Sequence, residues 1–342
     1  MRAAGKETVP AKRLPTLEDV AARAGVSRAT ASRVVNADPR VGQAAREAVQ
    51  ASIRDLGYRP NRAARSLVRP DADSIAVVVP EAEERVFSDP FFSAILGAIY
   101  TKLADSPVQV LLAVAPPGKR DKIDRYLRGG YTDGAIVVSH HRDDGITDVL
   151  REIQLPAVYI GRPHAGDVGL PYVDVDNVTG GMLAAQRLID GGRRRIGTVA
   201  GPQDMASGYD RLTGWRRAMT HAGLADDLVE YGDFTAASGG EKMLRLLERE
   251  PNLDGVFAAS DLMAVSVIQE LQGRGISVPE DVAVVGFDDS QMAKLTRPPL
   301  TTVLSTTSGM ASTAVEMLLT LLKGQQVEHV ILPTELIPRD SA

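Results

Sequence analysis

Within "VSRATASRVVN", Val26 to Asn36, the arginines Arg28 and Arg33 stand among alanines, serines and a threonine. A guanidinium is a planar fork of donors that fits a phosphate or the O6/N7 edge of guanine. If the stretch is helical, Ala31, Val34 and Val35 fall at i, i+3 and i+4 and form its buried stripe. Arg28, Ala29, Ser32 and Arg33 then point outward, Ala29 and Arg33 on one face and Arg28 about 100° away. Small neighbours let such a helix sit deep in a major groove, where base edges are read near its N-terminus. Phosphate contact by both arginines is the plainer alternative.

The elements that would hold this helix flank it. In "TLEDVAARAG", Thr16 precedes an apolar pattern and Asp19 occupies the third helical position, the arrangement of a capping box. Leu17, Val20, Ala21 and Ala24 recur at i, i+3, i+4 and i+7, Gly25 ends the helix, and Ser27 can cap the next. A third helix is expected in "QAAREAVQASIRDLG", with Ala45, Ala48, Val49, Ile53 and Leu56 inward and Gly57 as terminator. Two helices across so tight a glycine turn, with a third behind them, form the helix-turn-helix pattern. "NRAARSLV" then follows Pro60, too short for a stable helix by itself, and "RPDAD" reads as a linker.

Charge divides the same way. Residues 1–69 hold 14 Lys+Arg against 6 Asp+Glu, and the remainder 25 against 38. A basic head on an acidic body points to a polyanionic partner for the head, a solvated charged arm being the alternative. At 342 residues the chain is too long for one small core. It has no cysteine, which excludes disulfides and thiolate metal sites. No uninterrupted apolar run reaches the ~18 residues of a membrane span, and the basic N-terminus lacks the apolar segment of a signal peptide. The expectation is a cytoplasmic protein with no membrane association.

From Ser74 onward "SIAVVVP", "VQVLLAV", "GAIVVS", "PAVYIG", "RIGTVAG", "GVFAAS" and "VAVVGFDD" alternate with helical segments. Continuous apolar strands with helices between them predict parallel sheets covered on both faces, enough for two doubly wound lobes. Ligands of such sheets bind beyond the C-terminal strand ends. Enzyme signatures are missing. "GGRRRIGT" lacks the lysine of a phosphate loop, "GRGISV" fails the dinucleotide fingerprint at its last glycine, and "DVDNVTGG" has Ala185 where a calcium loop needs glutamate. His140-His141 beside Asp143-Asp144 reads either as a metal site or as a polar loop. No enzyme, cofactor or metal is expected.

The head segments "TLEDVAARAGVS", "TASRVVN" and "LGYRPNRAARSL" resemble the lactose-repressor/galactose-repressor family of bacterial regulators. In the body "DGAIVVS", "VDVDN", "RRRIGTVAGP", "RLTGWRRA", "GDFTAASG", "AASDLMA", "PEDVAVVGFDD" and "RPPLTTV" carry the same resemblance, from Thr16 to about Arg339. It implies an α/β protein: a three-helix DNA-binding head, a hinge helix, and a two-lobed, doubly wound core like the type I periplasmic binding proteins. The domains would be 14–60, the hinge and linker 61–72, and the core 73–342. Lobe 1 would take about 73–190 plus 305–324, and lobe 2 about 192–304 plus 326–340. Base readout falls on Arg28, Ala29 and Arg33, with Thr16, Ser27, Ser32, Asn36, Tyr58 and Asn61 as caps and backbone contacts. Leu67 would wedge into the minor groove, with Ala63 and Ala64 letting two hinge helices pack. Gly42 departs from the family's usual Ser or Thr cap, and "VRPDAD" from its glycine-containing linker.

For a sugar effector, aromatic faces and paired polar groups are required. The resemblance points to Arg211, Asp288, Phe234 and Ser260 in the second lobe. In the first lobe the candidates are Asp89, Phe91 and Phe92, which lead a helix, with Ser139, His140 and Arg162. Trp215, one turn from Arg211, is expected to be buried rather than in the pocket. "SDPFF", "VVSHHRDD", "YIGRP", "AGPQDM" and "YGDFT" are similar to actinobacterial regulators that answer to cellobiose or related β-glucosides. The implied protein is a repressor of sugar-utilisation genes, a homodimer with a tetramer as the alternative. It would bind a pseudo-palindromic operator and be released by a sugar. A corepressor-type ligand and a solute-binding module remain the competing readings.

Overall fold

The computed structural model describes residues 15–35, 38, 40–58, 73–116, 118–164 and 169–342. The chain divides into two compact units, the first ending at Asp71 and the second beginning at Ala72.

In the first unit, α1 (Leu17–Ala24), α2 (Arg28–Val35) and α3 (Gln43–Leu56) pack around Val20, Ala21, Ala31, Val34 and Val49. Local chemistry explains each boundary. The Thr16 hydroxyl accepts from the Asp19 amide at 3.3 Å, and the Asp19 carboxylate accepts from the Thr16 amide at 2.8 Å, closing the capping box. Gly25 takes φ 65°, a left-handed conformation that turns the chain at no steric cost, and Ser27 accepts from the Thr30 amide at 3.1 Å to start α2. Gly42 leads α3 without a side-chain cap. On α3 the sequence pattern misses buried Ser52, whose hydroxyl donates to the Ala48 carbonyl at 2.9 Å.

In the second unit the first sheet runs β11 (Val330–Leu332), β5 (Tyr172–Val175), β4 (Ala157–Ile160), β3 (Gly134–Val138), β1 (Ser74–Val79), β2 (Gln109–Val114), all parallel. The second runs β12 (Leu336–Ile337), β10 (Thr301–Leu304), β9 (Ala283–Asp288), β8 (Gly255–Ala258), β6 (Ile196–Ala200), β7 (Val229–Tyr231). Only β12 is antiparallel in it, against β10. Both sheets reverse strand order at one point, between β1 and β3 and between β6 and β8, where such folds place ligands.

The helices between strands are α4 (Glu83–Ser88), α5 (Pro90–Lys102), α6 (Asp121–Arg128), α7 (Ile146–Glu152), α8 (Asn177–Asp190), α9 (Ala206–His221), α10 (Ala236–Arg249), α11 (Asp261–Gly273), α12 (Gln291–Leu295) and α13 (Thr307–Leu322). Strands β1, β3 and β4 are buried along their whole length, as continuous Val/Ile/Ala runs require. Strand β2 is not: it is the sheet edge, and Leu111 and Leu112 stand exposed on it. Among the described residues no helix is long and apolar enough to cross a membrane.

The lobe boundaries differ from the sequence expectation in two places. Helix α8, expected in lobe 1, packs on α9 and the second sheet. Its glycines set this: a Cβ on Gly180 would meet the Phe287 ring at 2.5 Å, and one on Gly181 the Arg211 carbonyl at 2.1 Å. Strand β11, expected in lobe 2, pairs with β5 and closes the far edge of the first sheet. The chain therefore crosses between lobes after β5, after β10 and after β11.

Candidate DNA-reading helix and ligand cleft

On the first unit, Ser27, Arg28, Ala29 and Arg33 are exposed, and Ser32 is half-buried. Helix α2 thus presents two exposed guanidinium groups, Arg28 in its first turn and Arg33 in its last, with the Ala29 methyl exposed between them. Arg28 donates to the Glu18 carboxylate at 2.6 Å, a solvent-exposed pair that holds the side chain across α1. Tyr58 packs against the three-helix core. Asn36, Asn61, Ala63, Ala64 and Leu67 lie outside the described residues.

The second unit contains a cleft at the C-terminal ends of both sheets, lined by residues of both lobes. Arg211 projects into it from the second turn of α9, with only 7% of its surface exposed. Its Nε donates to Asn177 Oδ1 at 2.8 Å and its Nη1 to the Ala259 carbonyl at 2.6 Å. Asp288 Oδ1 lies 3.4 Å from the same Nη1. The guanidinium carbon stands 3.6 Å from the Phe287 ring centroid. A buried charge so fixed has its hydrogen-bonding edges aimed rather than floating. Burial pushes the Asp288 carboxyl well above the usual carboxylate range, against the pull of Arg211, and pushes Asp89 up as well.

Phe234 forms an aromatic wall at φ 67°, with the Arg85 and Arg211 guanidinium carbons 5.6 and 5.7 Å from its ring centroid. Asp89 caps α5 by accepting from the Phe91 amide at 2.9 Å, and Ser260 caps α11 through the Met263 amide. Arg162 donates to Asp210 at 2.7 Å, joining the first lobe to α9. Asp89, Phe91, Ser139, His140, Arg162, Arg211, Phe234, Ser260 and Asp288 all line the cleft.

Phe92 does not. It is 1% exposed and packs with Ile95 and Ile99 in the first-lobe core, because adjacent residues on a helix diverge by about 100°. Its ring meets Phe91 edge-on, centroids 5.3 Å apart, so it backs the cleft wall without forming it. Trp215 is fully buried, as expected.

Sequence reasoning missed Arg85 and Ser305, both on the cleft wall. Arg85 sits in "EAEERVF", which reads as a charged surface helix; Ser305 follows β10, a strand whose threonines hid it. Arg85 Nε, His140 Nε2 and Ser305 Oγ are buried without a protein partner, polar atoms that a hydroxylated ligand would satisfy. The His140-His141 loop is held by Asp144, which accepts from the His141 amide at 3.1 Å and lies 3.3 Å from His140 Nδ1. Among the described residues no group of three or more His, Asp or Glu is placed to hold a metal.

A helix-turn-helix unit followed in one chain by a two-lobed α/β core with a polar cleft defines the ligand-responsive DNA-binding regulators. Residues 16–61 match the family model described as bacterial regulatory proteins, lacI family, and residues 185–342 that of a periplasmic binding protein-like domain. The chain is 45% identical over 340 residues to the HTH-type transcriptional regulator CelR of Thermobifida fusca, covering 96% of this chain and 99% of that one. Among solved structures, a transcriptional regulator CelR–cellobiose complex superposes with TM-score 0.77 at 43% identity, over 96% of this chain and 100% of the other. A lac repressor dimer bound to operator and the anti-inducer ONPF gives 0.76 at 27% identity, over 96% and 99%. The chain belongs to the lacI family of bacterial regulatory proteins, and is a regulator of transcription rather than an enzyme.

Proposed function

We propose that this chain is a cytoplasmic, homodimeric repressor of sugar-utilisation genes that leaves its operator when cellobiose or a related β-glucoside enters the cleft. The observation that carries the ligand half is the buried Arg211, held by Asn177 and Ala259 beside Asp288 and flanked by Phe234. An aimed guanidinium and a carboxyl grip vicinal hydroxyls, and the ring face receives the apolar side of a pyranose. Similarity to a regulator solved with cellobiose supports the disaccharide. Asp89, Phe91, His140, Arg162 and Ser260 complete the ligand contacts in this reading.

For the DNA half, Arg28, Ala29 and Arg33 read bases, while Thr16, Ser27, Ser32, Asn36, Tyr58 and Asn61 position the head. Leu67 enters the minor groove, with Ala63 and Ala64 at the hinge–hinge contact. Two heads on a two-fold dimer meet two half-sites. Induction requires the sugar to bind the DNA-free state more tightly, since only differential affinity shifts the equilibrium.

The experiment is calorimetric titration with cellobiose, gentiobiose, maltose and lactose, repeated with an operator selected from randomised duplexes. Cellobiose or gentiobiose binding that weakens when operator is present supports the proposal. Equal affinity with and without operator overturns induction, and tighter binding with operator makes the ligand a corepressor.

A further inference from the structure

Glu81 lies behind the cleft wall, immediately beyond the end of β1 and 5% exposed. One of its oxygens, Oε1, accepts from Ser139 Oγ at 2.6 Å, from His141 Nε2 at 3.1 Å and from Arg85 Nη1. Two of those donors, Ser139 and Arg85, line the ligand cleft. The third faces away from it: His141 donates through Nδ1 to Asp204 Oδ2 at 2.7 Å, and Asp204 belongs to the loop after β6, in the other lobe. The Asp204 carbonyl also accepts from the Arg142 amide at 2.9 Å. An unbroken chain of charged contacts thus runs from the cleft wall to the opposite lobe.

We propose that Glu81 is the positioning residue that ties ligand occupancy to lobe closure, orienting Arg85 and Ser139 toward the ligand and His141 as a latch on Asp204. The inference rests on the ligand-cleft reading above and names the part of the cleft that senses occupancy. Arg85 has a buried Nε–H without a partner, so a ligand hydroxyl that accepts from it draws the guanidinium onto the ligand. Arg85 and His141 share one carboxylate oxygen, so that shift redistributes the bonds holding the latch. A surface ion pair would not transmit in this way. The Glu81 side chain is 6% exposed, and it cannot exchange these donors for water without opening the fold.

Protonation supports the geometry. Burial lowers the His141 pKa, but Glu81 and Asp204 outweigh it and push it up to about 9. Its charged surroundings are Glu81 and Arg85 from the β1–α4 side, Arg142, Asp143 and Asp144 on its own loop, and Asp204 from the second lobe. The sign is that of a raised group: the latch is fully formed below the pKa of the separated lobes and is lost as pH rises through about 9.

The absence of cysteine allows a direct test. Dyes on exposed Lys122→Cys and Glu248→Cys, with labelled protomers diluted into unlabelled ones, report lobe separation in the ligand-free protein. Raising pH from 7 to 10 should shift wild type toward open lobes by roughly threefold in population, the effect expected of one half-exposed ion pair. Asp204→Asn should be that much more open at pH 7 and insensitive to pH. Glu81→Gln should move the midpoint of opening well below 9. The same opening in Asp204→Asn as in wild type, or an unmoved midpoint in Glu81→Gln, overturns the proposal. In a cellobiose titration Asp204→Asn should bind roughly threefold more weakly. No cellobiose binding by wild type would remove the ligand assignment, while the ligand-free measurement still decides the latch.

Discussion

Replacing Gly181 by alanine perturbs the ligand cleft from outside it. Gly181 on α8 faces Gly214 and Arg211 on α9, and a Cβ there would stand 2.1 Å from the Arg211 carbonyl oxygen and 3.1 Å from its Cα. The obstacle is helix backbone, which cannot rotate aside, so α9 has to retreat by roughly 1 Å to restore contact distance. Overpacking of this kind costs about 1–3 kcal/mol, offset by about 1 kcal/mol from alanine's better helix propensity. The net loss of up to about 2 kcal/mol lowers Tm by up to roughly 8 °C for a core of this size. The larger effect falls on Arg211. Its bonds to Asn177 and Ala259 are 2.8 and 2.6 Å long, and a shift of that size breaks at least one. Charge-assisted bonds contribute about 1.5–3 kcal/mol each, so cellobiose affinity should fall about tenfold to a hundredfold. Differential scanning fluorimetry and titration calorimetry measure the two effects. Gly273→Ala, at the end of α11 where a Cβ would meet nothing within 4 Å, is the control: it should leave affinity unchanged and Tm unchanged or slightly raised. Wild-type affinity and Tm in Gly181→Ala would refute the claim that the close α8–α9 contact places Arg211.

Three further outcomes are expected. Arg33→Ala should cost about 1–3 kcal/mol of discrimination between operator and a single-base variant in gel-shift titrations, with cellobiose binding untouched; retained discrimination would reduce Arg33 to a phosphate contact. Thr16→Ala opens the capping box of α1 and should destabilise the head by about 1 kcal/mol, read as faster amide hydrogen exchange in Leu17–Ala24. Asp288→Asn keeps the shape beside Arg211 but replaces a carboxyl oxygen with an amide NH2 that cannot accept a hydrogen bond, and should weaken cellobiose binding about tenfold or more without lowering operator affinity; an unchanged sugar titration would take Asp288 out of the site.

What was legible in the sequence was local. The Thr16–Asp19 box, the Gly25 turn and the Ser27 cap each involve residues within three positions of one another, and all form as written. Strands β1, β3, β4, β6, β8 and β9 announce themselves as apolar runs, whereas β5, β10 and β12 are two to four residues long or carry polar side chains, and pass unnoticed. The lobe assignment of α8 and β11 depends on what they pack against, which no local pattern records. The cleft divides the same way. Arg211, Asp288 and Phe234 stand in segments distinctive enough to be found, while Arg85 looked like any basic residue on a charged helix. Phe92 was misplaced because neighbouring aromatics cannot both face one cavity from one helix.

The three crossings between lobes also bear on how such a protein can be inherited. The head is one uninterrupted segment ending by Asp71, so a single recombination near that point exchanges it whole. Neither lobe is a continuous stretch: the first gathers β1 to β5, then α13, then β11, with second-lobe segments threaded between them. Trading one lobe for another's would need several simultaneous splices. Operator preference can therefore change hands in one genetic event, whereas the cleft must acquire a new taste one substitution at a time.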